Sequence, residues 1–282
     1  MKTGLVLEGG AMRGMFTAGI LDVFMENGIT FDGMIGVSAG AVFGCNFKSG
    51  QIGRTIRYNK KYCKDPRYCS FRSLLKTGNM FGKEFCYREL PEKLDIFDND
   101  AYEKNPMDFH LVCTDVETGK PVYKLFNKIE ETGLEWYRAT ASLPLVAEIV
   151  EIDGRKLLDG GLSDSIPLKY FESIGYDKNV VITTQAYDYR KKKNKAMFLI
   201  KVLYRKYPNL IKTAGNRHIM YNETLDYIKK RENEGAAYVI RPEKSLEIGH
   251  VEHDADNLQR VYEIGRKTAE KHLSEIKKFL NK

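Results

Sequence analysis

Asp32-Gly33-Met34-Ile35-Gly36-Val37-Ser38-Ala39-Gly40 is the stretch around which the chain is organised. An apolar run ends at Val37, a serine follows, and Gly36 and Gly40 stand two residues to either side of it. Small residues then lead into Ala41-Val42-Phe43. This order predicts a strand, a tight turn and a helix. A serine at the tip of such a turn has its hydroxyl pushed into the open. Small neighbours let the backbone close up and let a substrate carbonyl approach, and the free N–H groups of the following helix favour developing negative charge. Taken alone, the pentapeptide is also compatible with a glycine-rich turn carrying a bystander serine. Its place between an apolar strand and a helix favours a reactive one.

Two further stretches extend the pattern. Leu5-Val6-Leu7-Glu8-Gly9-Gly10-Ala11-Met12-Arg13-Gly14 predicts a strand running into a glycine loop, with a helix starting near Arg13. A phosphate-binding Walker loop needs lysine after Gly14, where Met15 stands, and a dinucleotide fingerprint needs glycine where Ala11 stands. Both readings fail at a residue that carries their mechanism. A cluster of N–H groups at a helix start can still hold an oxyanion. Leu157-Leu158-Asp159-Gly160-Gly161 predicts a second strand, ending in an acid and two glycines. On its own, Asp-Gly is a common turn.

The ordered set Gly-Gly-x-x-Arg-Gly, Gly-x-Ser-x-Gly and Asp-Gly-Gly resembles the patatin-like phospholipase family. Ala139-Thr140-Ala141-Ser142-Leu143-Pro144 is similar to the segment that precedes the aspartate in that family. The resemblance covers residues 4 to 185 and extends more loosely beyond. It implies a Ser–Asp dyad in which Ser38 attacks an ester carbonyl and Asp159 accepts its proton. It also implies an oxyanion hole from Gly9, Gly10, Ala11, Arg13 and Gly14, with Gly36, Gly40, Gly160 and Gly161 shaping the turns. No metal and no cofactor are implied. One departure is Ala11, where many members carry a third glycine. The loop is expected to tolerate alanine there if its φ is negative.

The 282 residues are 43% hydrophobic and 29% charged, enough for one large α/β domain over 1–282. Its expected architecture is a three-layer α/β/α fold with a largely parallel central sheet. A catalytic core is expected over about residues 1–185, with a C-terminal helical extension containing one late strand over about 186–282. The net charge of +7 favours acidic partners, anionic lipid or nucleic acid, and no nucleic-acid module signature appears. The five cysteines, irregularly spaced, read as buried free thiols of a cytoplasmic protein. The sequence shows no signal peptide and no run of about 18 apolar residues that would span a bilayer.

Along the chain, Gln51 to Cys63 reads as helical, with Arg54 and Arg57 on a solvated face. Residues 64 to 82 read as a loop with short helices, whose Phe71, Leu74, Leu75, Met80 and Phe81 either border a lipid slot or simply pack. Phe109 to Asp115 and Pro121 to Leu125 read as strands, with His110 a satisfied structural histidine. Glu130 to Ala141 reads as a helix, and Ala147 to Leu158 as a hairpin turning at Asp153-Gly154. Tyr189 to Tyr207 carries eight Lys and Arg residues and no acid, with Ala196, Leu199, Ile200, Leu203 and Tyr207 at helical spacing. Two readings remain open: a basic helix lying reversibly on an anionic membrane, or a helix packing its stripe on the sheet with lysines in solvent. Val180 to Thr184 and Ala237 to Arg241 read as strands, and Asn222 to Glu234 and Asp256 to Leu280 as helices.

These observations predict a serine lipid acyl hydrolase acting on carboxylic esters of phospholipids or related lipids, peripheral at the membrane where it meets them. A non-catalytic lipid-binding or regulatory protein with the same fold is an alternative. So is a Ser-His-Asp esterase using His250 or His253, since Ser38, Asp159 and either histidine stand in α/β-hydrolase order.

Overall fold

The computed structural model describes residues 1–129 and 133–281. The first half alternates β1 (Thr3–Leu7), α1 (Gly14–Glu26), β2 (Gly33–Val37) and α2 (Ala39–Lys48). Helices α3 (Arg54–Tyr62), α4 (Phe71–Thr77) and α5 (Asn99–Lys104) follow, with a π-helical stretch at Phe85–Leu94 between the last two. Then come β3 (Asp108–Asp115), β4 (Pro121–Leu125), α6 (Gly133–Thr140) and the hairpin of β5 (Val150–Ile152) and β6 (Arg155–Asp159). The remainder is α7 (Leu168–Ser173), β7 (Lys178–Ile182), α8 (Met197–Leu203), α9 (Pro208–Asn233), β8 (Ala237–Ile240) and α10 (Ala255–Asn281). The helix expected over 130–141 begins at Gly133, and its first three positions lie outside the described residues.

The described strands form one eight-stranded sheet in the order β5-β6-β3-β2-β1-β7-β8, with β4 pairing β3 off this path. The β3-β2-β1-β7-β8 portion is parallel. Strands β4 and β6 both run antiparallel to β3. The register of β3 shows why this matters. β4 pairs with His110 to Thr114, β2 pairs with Asp108 to Val112, and β6 pairs with Cys113 to Asp115. A strand has two edges, so the overlaps put β4 on one edge of β3 and both β2 and β6 on the other. β2 and β6 therefore meet head to head: Val37 is opposite Val112, and Asp159 is opposite the next residue, Cys113.

Alternating side chains of the strands feed two cores, as the period of two requires. Leu5, Leu7 and Met34 pack with α1, α2 and α10 on one face. Val6, Ile35, Val37 and Val181 pack on the other face with Phe171 of α7 and Tyr221 and Ile228 of α9. The result is a three-layer α/β/α arrangement. Residues beyond 185 take part in these layers. β8 pairs with β7, α9 covers one face, and α10 lies across α1.

The α1–α10 crossing depends on two glycines. A Cβ on Gly265 would overlap the Phe16 carbonyl oxygen, and one on Gly19 would overlap the Tyr262 carbonyl oxygen. The obstruction is backbone on both sides, so it is not relieved by a side-chain rotation. Gly265→Val is expected to destabilise by about 3 kcal/mol through overpacking. A thermal melt reads this; an unchanged midpoint would show that the helices can part without cost.

Several expectations are corrected here. Arg54 is not on a solvated face. It is 4% exposed, donates to the Asn46 side chain at 2.8 Å and to the Asp95 carbonyl, and pairs with the Asp95 carboxylate. Arg57 is exposed and pairs with the same carboxylate. His110 is buried, but its Nδ1 has no hydrogen-bond partner, so it is not a satisfied structural histidine. It sits edge-on to Phe171, and burial lowers its pKa. The basic run is not one helix: residues 189–194 are irregular, and only α8 winds. The α8 stripe is also different. Ile200 and the following Tyr204 turn inward, while Phe198, Leu199, Val202 and Leu203 face solvent. The helix read as starting at Asn222 starts at Pro208.

Candidate active site

Ser38 sits between β2 and α2 with φ 53° and ψ −125°. Positive φ is costly for a residue bearing a Cβ. The surroundings enforce it. The Ser38 N–H donates to Thr140 Oγ1 at 3.0 Å, and that hydroxyl in turn donates to the Val112 carbonyl. The Ser38 carbonyl accepts from the N–H groups of Ala41 at 2.9 Å and Val42 at 3.0 Å. Thr140 thus fastens the turn to β3, a role that its place in the Ala139–Pro144 segment does not announce. Thr140→Val leaves the buried Ser38 N–H without an acceptor. A loss of about 1–3 kcal/mol in denaturant-measured stability is expected. Unchanged stability would show that the threonine is not what holds the turn.

The glycine loop lies against this turn. A Cβ on Gly9 would meet the Val37 carbonyl at 2.9 Å and Ser38 Cβ at 3.0 Å, so only glycine lets loop and serine approach this closely. Beyond it, residues 11–13 form a short 3-10 turn that runs into α1, and Arg13 N–H is the first to bond back, to the Gly10 carbonyl at 3.1 Å. The N–H groups ahead of it have no acceptor within the turn, as at any helix start. Ala11 does not meet the condition set for it: its φ is 50°. The left-handed conformation costs an L-residue about 1–2 kcal/mol, so the loop holds alanine under strain. Glu8 anchors the loop from behind, buried and accepting from Thr184 N–H at 2.6 Å and from the Tyr221 hydroxyl.

Asp159 ends β6 and is 1% exposed. Its Oδ1 accepts from Gly161 N–H at 2.7 Å, and its own N–H donates to the Ser142 carbonyl at 2.8 Å. Its Oδ2 is buried without a hydrogen bond of ordinary geometry, although the Ser38 hydroxyl is close enough to favour the charged carboxylate. Burial dominates and raises the pKa of Asp159, against the Ser38 hydroxyl, the Arg217 charge and the Gly161 N–H. Strand β6 arrives from the direction opposite to β2, so the convergence of Ser38 and Asp159 is made by their shared edge of β3. It is not the common carboxyl edge of a parallel sheet.

Ser38, Ala11, Met12 and Arg13 open onto a cavity of about 840 Å³, a size suited to a small ligand. Val42, Phe43, Met80, Phe81, Leu134 and Leu143 make one arm of it apolar. Of the residues weighed for a lipid slot, Met80 and Phe81 line the cavity, whereas Phe71 and Leu75 stand exposed outside. His250 lines the cavity beside Arg13, Lys191 and Arg217. His253 does not line it, and its Nδ1 faces the Cys63 carbonyl at 2.5 Å. Arg217, on α9, donates through Nε to the Gly161 carbonyl. Nothing local in the sequence points to Arg217, which reaches the site from 56 residues beyond Gly161. Among the described residues no three His, Cys, Asp or Glu side chains gather as a metal site, and no helix is long and apolar enough to cross a membrane. All five cysteines are free, four of them buried.

A strained serine elbow on a mostly parallel sheet, flanked by a glycine loop, defines the class: an α/β protein with a cavity of small-ligand size beside that elbow. The chain belongs to the patatin-like phospholipase family, whose model matches residues 5–172. Residues 207–281 match a second model, described as a domain of unknown function, DUF6363. The chain is 26% identical to the protein YjjU of Escherichia coli, over 99% of this chain and 79% of that one. It is 25% identical to an NTE family protein of Mycobacterium tuberculosis over 64% of this chain, and spans about half (49%) of that relative's length. A third relative, lysophospholipase NTE1 of Chaetomium globosum, is 25% identical over 66% of this chain and 12% of its own length. The likeness to lipid hydrolases is therefore one of family.

Proposed function

We propose that the protein is a serine lipid acyl hydrolase whose Ser38–Asp159 dyad cleaves carboxylic esters, with the glycine loop as its oxyanion hole. The observation that carries this reading is the pairing of a serine held at positive φ, facing a cavity with an apolar arm, with a buried carboxylate whose Oδ2 has no other partner. Ser38 Oγ attacks the ester carbonyl as its proton passes to Asp159 Oδ2. The tetrahedral oxyanion is met by the N–H groups at the start of the 3-10 turn, each worth about 3 kcal/mol in the transition state. Collapse returns the proton to the departing alcohol and leaves an acyl ester on Ser38. Asp159 then takes a proton from water as it attacks that ester, and passes it to Ser38 Oγ as the acyl–Oγ bond breaks and the acid departs. A raised pKa suits this work, because a base nearer the working pH both accepts and returns protons readily.

Covalent labelling by a fluorophosphonate, located by peptide mass spectrometry, tests the reading: the adduct is expected on Ser38. A folded protein that takes no label would instead be a lipid-binding relative without turnover. A Ser-His-Asp triad would make His250→Ala as damaging as Asp159→Asn. The charges acting on His250 are those of Arg13, Arg217 and Lys191, with no acid among them, which favours the dyad.

Contact with an anionic membrane completes the proposal. The outward face of α8 and the turn after it combine exposed Phe198, Leu199, Val202 and Leu203 with the exposed cations Lys201, Arg205 and Lys206. Apolar side chains can enter the interface while cations meet lipid phosphates, each charge contributing about 1 kcal/mol. Phe198→Ser with Val202→Ser is expected to lower sedimentation with anionic vesicles several-fold, and salt to weaken it further. Hydrolysis of a short soluble ester should hardly change. Unaltered vesicle binding in the double variant would remove α8 as the contact.

A further inference from the structure

The cavity has a chemical asymmetry that ester hydrolysis alone does not require. Several arginines and lysines line it, and no aspartate or glutamate does among the described lining residues. Some of these cations are accounted for. Arg54 is held by Asn46 and Asp95, Arg138 pairs with Glu135, and Arg190 pairs with Asp226. Three others that line the cavity with Ser38 are not paired in this way. Arg13 has a buried Nε with no hydrogen-bond partner. Lys191 places its Nζ 4.4 Å from the centre of the Tyr221 ring, and Arg217 spends its Nε on a neutral carbonyl. Among the described residues none of the three makes a salt bridge.

Their mutual repulsion is visible in their neighbours. Lys191 is lowered to about 8, first by desolvation and then by the charges of Arg217 and Arg13, with Glu8 acting the other way. His250 is exposed on one side at the rim, yet partial enclosure and the same three cations lower its pKa too. The acids facing the group are Glu8, already engaged by Thr184 and Tyr221, and Asp159, which feels Arg217. Unpaired charges in a partly enclosed space are unfavourable until an anion joins them. Arginine and lysine together suit a phosphate, which offers several strong acceptors to the planar fork and the point charge.

We propose that Arg13, Lys191 and Arg217 form a subsite for the phosphate of a single-chain acyl phospholipid, placing its ester at Ser38 and its chain in the apolar arm of the cavity. This rests on the hydrolase reading for the role of Ser38, but the subsite itself is a matter of binding. It separates phosphate-bearing lipids from neutral glycerides of the same chain length by charge.

Binding to the Ser38→Ala protein tests it without turnover. Dodecyl phosphate, dodecanol and inorganic phosphate are titrated separately by calorimetry below their aggregation limits. Dodecyl phosphate is expected to bind at least about tenfold more tightly than either of the others. In the same background Lys191→Gln should remove most of that advantage, and Lys191→Arg should keep most of it. Arg217→Gln gives a second, independent reading of the same loss. Equal affinities for dodecyl phosphate and dodecanol would overturn the subsite, as would an advantage that survives both Lys191→Gln and Arg217→Gln. Inorganic phosphate binding as tightly as the alkyl phosphate would overturn the lipid headgroup as its source. Since no ester is cleaved, these outcomes are independent of whether Ser38 is labelled by a fluorophosphonate.

Discussion

Ser38→Gly is expected to abolish ester hydrolysis and to raise the melting temperature. Loss of the hydroxyl removes the attacking atom, and a fall on the order of 10⁴–10⁶ in kcat follows by analogy with other serine hydrolases. The gain in stability comes from the backbone. Ser38 is held at φ 53°, where a Cβ is strained and glycine is not. Removing that strain should stabilise by about 1 kcal/mol. Ser38→Ala separates the two effects: it should lose the activity equally but keep the strain, and so melt close to the parent. A Ser38→Gly protein that is inactive and less stable would show that the turn is not strained. One that remains active would end the nucleophile reading.

Asp159→Asn should lower kcat by about 10²–10⁴-fold with little change in fold. The amide oxygen of asparagine can still accept from Gly161 N–H, so the position keeps its hydrogen bond and loses its basicity. His253→Ala, outside the cavity, should retain activity. The parent should also show an acid limb. As the proposed base Asp159 would act only when ionised, and burial raises its pKa above the ordinary 3.8 despite Ser38, Arg217 and Gly161. Activity should therefore fall as pH drops through a value above the usual carboxylate range, and be complete above it. Arg217→Gln removes the nearby charge that favours ionised Asp159, so its acid limb should move to higher pH. A limb at or below 3.8, or one that Arg217→Gln leaves in place, would contradict this account of the base.

Much of the candidate site was legible because its geometry is local. A strand ending in a small-residue turn is written in Ile35 to Gly40, and the hairpin turn in Asp153-Gly154, whose φ values are 51° and 72°. What was not legible depends on partners far away in the chain. Arg54 looks like one of several surface cations until Asp95 is brought beside it. Helix α9 shows no single stripe because Leu210 and Ala214 join one buried cluster and Tyr221 and Ile228 another. The stretch at Phe85–Leu94 carries Pro91 and winds with a wider period, so a 3.6-residue pattern does not find it. The strain at Ala11 was foreseeable only as a condition, because a glycine position reveals its φ once something else occupies it. The antiparallel arrival of β6 was hidden because a strand ending in an acid reads the same in either direction.

That arrival has a kinetic consequence. Ser38 and Asp159 are spaced by adjacent pairs along one edge of β3, Val37 with Val112 and Asp159 with Cys113. Their separation is thus set by strand pairing and not by a closing loop, so for the proposed dyad the effective molarity of base relative to nucleophile is already established in the empty protein. Adding lipid vesicles should accordingly leave the rate of phosphonylation by a small water-soluble probe unchanged, apart from competition for the cavity. Hydrogen exchange at Thr114 and Leu158, paired between β3 and β6, should be among the slowest in the chain, since the sheet would have to open there before the two side chains could drift apart.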